Sequence, residues 1–312
     1  MHKVLDLSCF SFLSALDVLL IERLPQANAG TAVLDMFGEA TPDGPIVALL
    51  ASYLGLKVGL MGNNVGDDAR GQKIVDVLNQ FHISSTITMQ RDLCTPKTIV
   101  LCDQEQNRTW FSFLPHGLEG LLSVNLDLIA ISKLVYVDLY AIMRSASRRA
   151  IVTASQHAVP LFVNLGGDEL EEQDVALLRH TNVAIIQTSL DAHSQRKPDD
   201  YAKELLDLIE PEIVIVTLAE SGLIYATQSE VRHLRAYSLA TLHSCGAGAA
   251  FSAGFACAYL QGWARETSLR FASALGGLYC TVKNGFGQFS LQYVLDFLKE
   301  QEANNEKDSS MT

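Results

Sequence analysis

At 312 residues the chain fits one large domain or two unequal ones, and its 48% hydrophobic content is ample for a sizeable core. Charged residues make up 19%, which excludes a disordered or coiled-coil protein. With 23 basic against 35 acidic side chains the net charge is −12, so the surface repels phosphate backbones and no nucleic-acid partner is expected; a local basic pocket for a phosphorylated small molecule stays open.

In chain order, Lys3–Leu7 and Leu16–Ile21 read as strands, Pro45–Leu54 as a helix, Lys57–Met61 as a strand and Asp67–Phe81 as a helix. Asp67-Asp68 stands where an N-cap belongs. Thr86–Met89, Lys97–Cys102 and Thr109–Leu114 then read as strands with no helix between them, parted by the polar turns RDLCT and DQEQNR. This predicts a small antiparallel sheet set into an α/β body. Alternation resumes with strand Leu134–Val137, helix Ala141–His157, strand Leu161–Asn164, helix Asp168–His180, strand Val183–Gln187, helix Pro198–Ile209 and strand Ile213–Leu218. From Gly246 onward three helices follow in series, Ala249–Gln261, Glu266–Asn284 and Ser290–Glu302. Residues 304–312 form a polar tail expected to be disordered. The fold class is therefore α/β, a mainly parallel sheet with helices on both faces.

No run of about 20 uncharged apolar residues exists, so no membrane span is expected. The opening MHKVLDLS, with Asp6 early, is a poor secretion signal. Six cysteines without a CxxC pair argue against a zinc site and for free thiols, and a cytoplasmic location is expected.

The most informative stretch is His243-Ser-Cys-Gly-Ala-Gly-Ala-Ala-Phe-Ser-Ala-Gly-Phe255. Gly246, Ala247 and Gly248 open directly into a helix, where unpaired N–H groups favour an anion. The stretch resembles the signature of the ribokinase/PfkB family of sugar and nucleoside kinases, D-T-x-G-A-G-D-A-F-x-A-G-F. Leu54-Gly55-Leu56-Lys57-Val58 with Gly62-Asn-Asn-Val-Gly-Asp-Asp-Ala-Arg-Gly71 is similar to a second family region. Thr98-Ile-Val-Leu with Asn107-Arg-Thr-Trp110 resembles its lid strands, Leu16-Asp17 with Arg23-Leu-Pro25 its N-terminal pattern, and Val216-Thr-Leu-Ala-Glu-Ser-Gly222 its nucleotide loop.

The resemblance implies a ribokinase-like domain over residues 1–303, with a β lid formed by parts of 10–45 and 86–116. It implies ATP and Mg2+ as cofactors, a sugar or nucleoside substrate, phosphoryl transfer to a hydroxyl, and a homodimer joined at the lid. Gly246, Ala247 and Gly248 become the anion hole. Asp17, Gly44 and Asn164 become substrate contacts, and Thr217, Gly222 and Asn284 nucleotide contacts. Asp191 is the remaining carboxylate near the metal-associated motif.

The sequence departs from the family at five motifs. The family's catalytic base, the aspartate after GAG, is Ala249. The signature's opening aspartate, often tied to a monovalent cation, is His243, a poor ligand for an oxygen-seeking ion. The metal-associated N-x-x-E falls on Gln187–Asp191, without its asparagine. The glycine motif falls on Thr41-Pro-Asp-Gly-Pro-Ile46, where Ile46 replaces the sugar-contacting asparagine. Ala219 replaces the glycine of the nucleotide loop. Loss of a positioned base costs ~10²–10⁴ in rate.

Three readings stay open: a kinase homologue with weak or absent transfer, a non-catalytic pseudokinase that binds ligands or scaffolds, and an active kinase carrying an engineered Asp-to-Ala base knockout. Asp17, Asp43, Asp138 and His243 are candidate substitute bases. Arg108 is either a lid residue over the site or a solvated turn charge. His116-Gly117 is a candidate lid hinge, and Trp110 and Trp263 are packing residues.

Overall fold

The computed structural model describes residues 3–39, 43–191 and 194–310. The chain runs β1 (Leu5–Phe10), β2 (Ala15–Ile21), β3 (Val33–Glu39), α1 (Gly44–Tyr53), β4 (Val58–Met61), β5 (Val65–Gly66), α2 (Ala69–Gln80), β6 (Ser84–Ser85) and β7 (Met89–Gln90). It continues with β8 (Lys97–Cys102), β9 (Arg108–Phe113), α3 (Gly117–Leu122), α4 (Asp127–Ala130), β10 (Ser132–Asp138), α5 (Arg144–Gln156), β11 (Leu161–Asn164), α6 (Glu172–Leu178) and β12 (Val183–Ser189). It closes with α7 (Pro198–Ile209), β13 (Ile213–Thr217), β14 (Leu223–Thr227), β15 (Glu230–Leu234), α8 (Ala247–Leu260), α9 (Arg265–Tyr279) and α10 (Leu291–Ser310).

Nine strands form the main sheet in the order β15-β14-β13-β12-β11-β10-β1-β4-β6. Every neighbouring pair from β13 to β6 is parallel, and β14 and β15 add an antiparallel edge. The central strands are continuous apolar runs because helices cover both faces. On one face Leu7, Cys9, Tyr136, Phe162 and Ile215 pack under α1, α8 and α9. On the other, Phe10, Val135, Val137, Val163 and Val214 pack under α5 and α7. α8 is lined by small buried residues, and a side chain at Gly254 would lie 3.0 Å from the Ala272 Cα, so α8 and α9 cross nearly backbone to backbone.

A second sheet, β3-β2-β8-β9, is antiparallel within the pairs β2–β3 and β8–β9, with β2 and β8 parallel between them. Leu16, Val18, Phe37, Val100 and Cys102 turn one face of this sheet onto Cys245, in the turn before α8. Its membership corrects the expected lid at one point. Thr86–Met89 is not a lid strand: the Thr86 N–H donates to the Leu60 carbonyl and the Thr88 N–H to the Asn64 side chain, which tie this segment to the main body.

β3 and the β14–β15 hairpin are strands without a counterpart among those read from the sequence. The helix expected over Asp168–His180 is confined to α6, and the one expected over Glu266–Asn284 ends with α9 at Tyr279. α10 continues through residues 304–310, where a disordered tail was expected. Glu300, Gln301, Glu302 and Ala303 are strong helix formers that carry the helix into that stretch.

Candidate active site

The parallel strands leave a crevice where the chain reverses its direction of travel across the sheet. From β1 the path goes to β4 and β6 on one side and returns to β10 on the other. Ligands of open α/β sheets bind beyond the carboxyl ends of strands at such a switch point. Two residues mark it here, Ser11 just after β1 and Asp138 at the end of β10.

Asp138 is fully buried and saturated with donors. Ser11 Oγ donates to its Oδ2 at 2.6 Å and the Gly44 N–H at 3.0 Å. Tyr136 OH and Asn164 Nδ2 donate to Oδ1, each at 2.8 Å. Asn164 Nδ2 also lies 2.9 Å from Tyr140 OH, and its Oδ1 accepts from the Gly166 N–H at 3.1 Å. Burial raises the Asp138 carboxyl above the ordinary carboxylate range, and bonds from Ser11, Tyr136, Asn164 and Tyr140 oppose the shift.

Asp43, half-buried immediately before α1, is pushed up to about 7 by burial and by Asp138, with Arg108 opposing. Its backbone sits at φ 48°, an uncommon setting for a residue with a side chain. Gly44 can only be glycine, because a Cβ there would lie 2.4 Å from Ser11 Cβ and 2.8 Å from Asp138 Oδ2.

The turn before α8 lies beside this cluster. Gly246 adopts φ 79°, and a Cβ on it would meet Tyr279 at 2.7 Å and Ile46 at 3.2 Å, so the first turns of α1 and α8 adjoin. Ala247, Gly248 and Ala249 open α8, whose first N–H groups lack helical partners. A Cβ at Gly248 would meet only Gln187 Nε2, at 3.8 Å, leaving that backbone approachable.

Ala249 is buried. Gln187, at the end of β12, donates to the Gly248 carbonyl at 3.2 Å and accepts from Ser252 Oγ at 2.8 Å, so both ends of its amide serve the α8 turn. Arg108 on the lid reaches the Ser244 carbonyl at 3.4 Å.

The residues singled out from the sequence thus divide. Gly44 and Asn164 join the Asp138 cluster, together with Asp43 and Asp138 itself. Asp17 pairs with Lys97 at 3.2 Å, while Leu16 and Val18 on either side of it turn to the opposite face, toward Cys245.

Thr217 donates to the Thr188 carbonyl at 3.2 Å. Gly222, at φ 97°, is required by the hairpin, since a Cβ would lie 2.0 Å from the Leu234 carbonyl. Asn284 holds a left-handed turn at φ 52°. Ala219 keeps φ 48°, a backbone suited to the glycine usual in the resembling motif.

Asp191 is exposed beyond β12. Asp68 caps α2 by accepting from Arg70 and Gly71, as its position predicts. Thr41 and Pro42 of the glycine motif lie outside the described residues. Ser11, Tyr136 and Tyr140 were not candidates from the sequence, and only their places at strand ends would have flagged them.

The arrangement sets backbone N–H groups able to hold an anion beside the carboxyl groups of Asp43 and Asp138. Among the described residues no group of three or more His, Cys, Asp or Glu side chains could hold a metal ion. Mg2+ ordinarily needs one or two carboxylates plus substrate phosphates.

Comparison with known proteins agrees with this fold. The model of the pfkB family of carbohydrate kinases matches residues 46–287. A fructokinase of Salmonella typhimurium is 25% identical over 284 residues, covering 81% of this chain and 92% of the fructokinase. The fold is similar to that of Arabidopsis thaliana ribokinase, solved with ribose and ATP, at TM-score 0.73 and 19% identity over 96% of this chain and 99% of the other. It is also similar to the Methanocaldococcus jannaschii nucleoside kinase at TM-score 0.74 and 16% identity, over 96% and 100% of the two chains.

Proposed function

The chain belongs to the pfkB family of carbohydrate kinases, and on that premise we propose that it binds a nucleotide at the α8 turn and a sugar or nucleoside beside Asp138, with weak or absent phosphoryl transfer. The observation that carries this reading is the pairing of an approachable Gly248 backbone, in the opening turn of α8, with a buried methyl group at position 249. The turn supplies N–H groups for a phosphate anion, whereas Ala249 cannot accept the proton that an attacking hydroxyl must lose. Bound Mg2+ would offset phosphate charge, with Asp191 as its protein ligand through water. Asp138 and Asn164 would orient substrate hydroxyls, and Arg108 would close the lid side.

Titration calorimetry with ATP and Mg2+ on this chain and on Ala249→Asp tests the reading, followed by turnover assays on a panel of sugars and nucleosides. The expected result is saturable binding by both proteins, with turnover raised about 10²–10⁴-fold in the aspartate variant. Such a rise is also what an engineered knockout of an active kinase would give. Absence of binding by both would overturn the reading and favour a non-catalytic binding or scaffolding protein. The fully satisfied Asp138 cluster is the observation that favours this second reading, because a carboxylate with all its donors supplied by the protein gains little from a ligand. A homodimer formed through the outer face of the lid and a cytoplasmic location complete the proposal.

A further inference from the structure

In the resembling family the position of His243 carries an aspartate tied to a monovalent cation. The residues around His243 do not fit such an ion. The side chain is fully buried, with its ring 5.0 Å from Phe37 and 6.2 Å from Tyr279, centroid to centroid. Its Nε2 lies 2.9 Å from the Val282 carbonyl. A carbonyl only accepts, so Nε2 carries the proton and donates it.

Burial lowers the imidazole's pKa, with the backbone of Val282 and Cys245 opposing. Nδ1 is buried as well, and burial favours the neutral ring. The backbone alongside is engaged in the same way: the Leu242 and His243 N–H groups donate to the Cys280 carbonyl at 2.7 and 3.3 Å. The Val282 and Cys280 carbonyls beside this position thus already accept from N–H donors of the same turn.

We propose that the His243 imidazole does a cation's work in this chain. Its Nε2–H holds the Val282 carbonyl, its ring fills the space between Phe37 and Tyr279, and the turn before α8 is fastened to the segment just after α9 without an ion. The nucleotide site, whose assignment rests on the reading above, is then indifferent to monovalent salt.

The test compares full-length wild type, His243→Asp and His243→Gln in potassium chloride and in tetramethylammonium chloride at equal ionic strength, with and without ATP and Mg2+. Wild type and the glutamine variant, which keeps an N–H donor, are expected to show the same melting temperature in both salts and ATP affinities within about twofold. The aspartate variant is expected to regain stability specifically in potassium. A wild-type melting temperature that rises in potassium but not in tetramethylammonium, or an ATP affinity at least tenfold higher there, would overturn the proposal. The ligand-free melting comparison decides the matter even if no ATP binds in either salt, an outcome that would count against the nucleotide reading alone. If the aspartate variant does not fold, the glutamine variant and the wild type still separate a salt-indifferent turn from a cation-dependent one.

Discussion

Asp43 concentrates the unusual chemistry of the site in one side chain. Its carboxyl is pushed up to about 7 from 3.8 by burial and the neighbouring Asp138. Between these values the folded protein holds a proton that the unfolded chain has released. Stability therefore falls as pH rises from about 4 to about 7 and levels off above, at roughly 1.4 kcal/mol per pH unit as an upper bound. Because Asp138 titrates with it, Asp43→Asn should flatten that fall without abolishing it. Denaturant unfolding at pH 5 and pH 8 on both proteins measures the difference, and an equal fall in both would mean that Asp43 has no part in it.

Gly44 and Asn164 stand at the ends of elements that meet at Asp138. The face that Asp17 presents, toward Lys97, is set by strand alternation, which motif letters do not encode. His243 was legible as a departure, but its hydrogen-bond partner was not, because Val282 lies 39 residues away.

At the level of elements, α1 is placed by what it cannot carry. Its first residue donates its N–H to Asp138, and that contact leaves no room for a methyl group. Gly44→Ala should therefore cost about 1–3 kcal/mol through displaced backbone. Gly30→Ala, where a Cβ would meet nothing within 4 Å, should stay within about 0.5 kcal/mol. Thermal unfolding of the pair distinguishes a packing cost from a general effect of losing glycine, and similar losses in both would contradict the crowding at Ser11.

The strand–helix alternation was readable because buried parallel strands are unbroken apolar runs. The β14–β15 hairpin was not, since Glu230–Leu234 is an edge strand with charged side chains and little apolar pattern. β3 escaped for a similar reason, its exposed Val33, Leu34 and Met36 giving no inward period.

For the whole molecule, the two faces of the lid sheet pose a question that one chain does not answer. The inner face is closed over β2 and β8, while Trp110 on β9, beside Val100 and expected to pack, is 65% exposed. Lys283 pairs with Asp35, Ser244 Oγ donates to the Gln106 carbonyl at 2.9 Å, and Cys245 packs against Val18 and Val100. The outer face is not. The register places Met36, Leu19, Ile99, Phe111 and Phe113 together there, with Met36 61%, Phe111 59% and Phe113 64% exposed.

A cluster of large apolar side chains on a sheet whose outer strands, β3 and β9, keep free backbone edges is where a second copy would dock. Sedimentation at micromolar concentration should then give twice the chain mass for the wild type. Phe111→Glu, which puts a charge among the exposed apolar side chains of that face, should give the single-chain mass. Val152→Glu on α5, exposed but far from the lid in the fold, should leave the dimer intact. A wild-type monomer, or a dimer that survives the Phe111 change, would mean that the exposed face is covered by something other than its own copy.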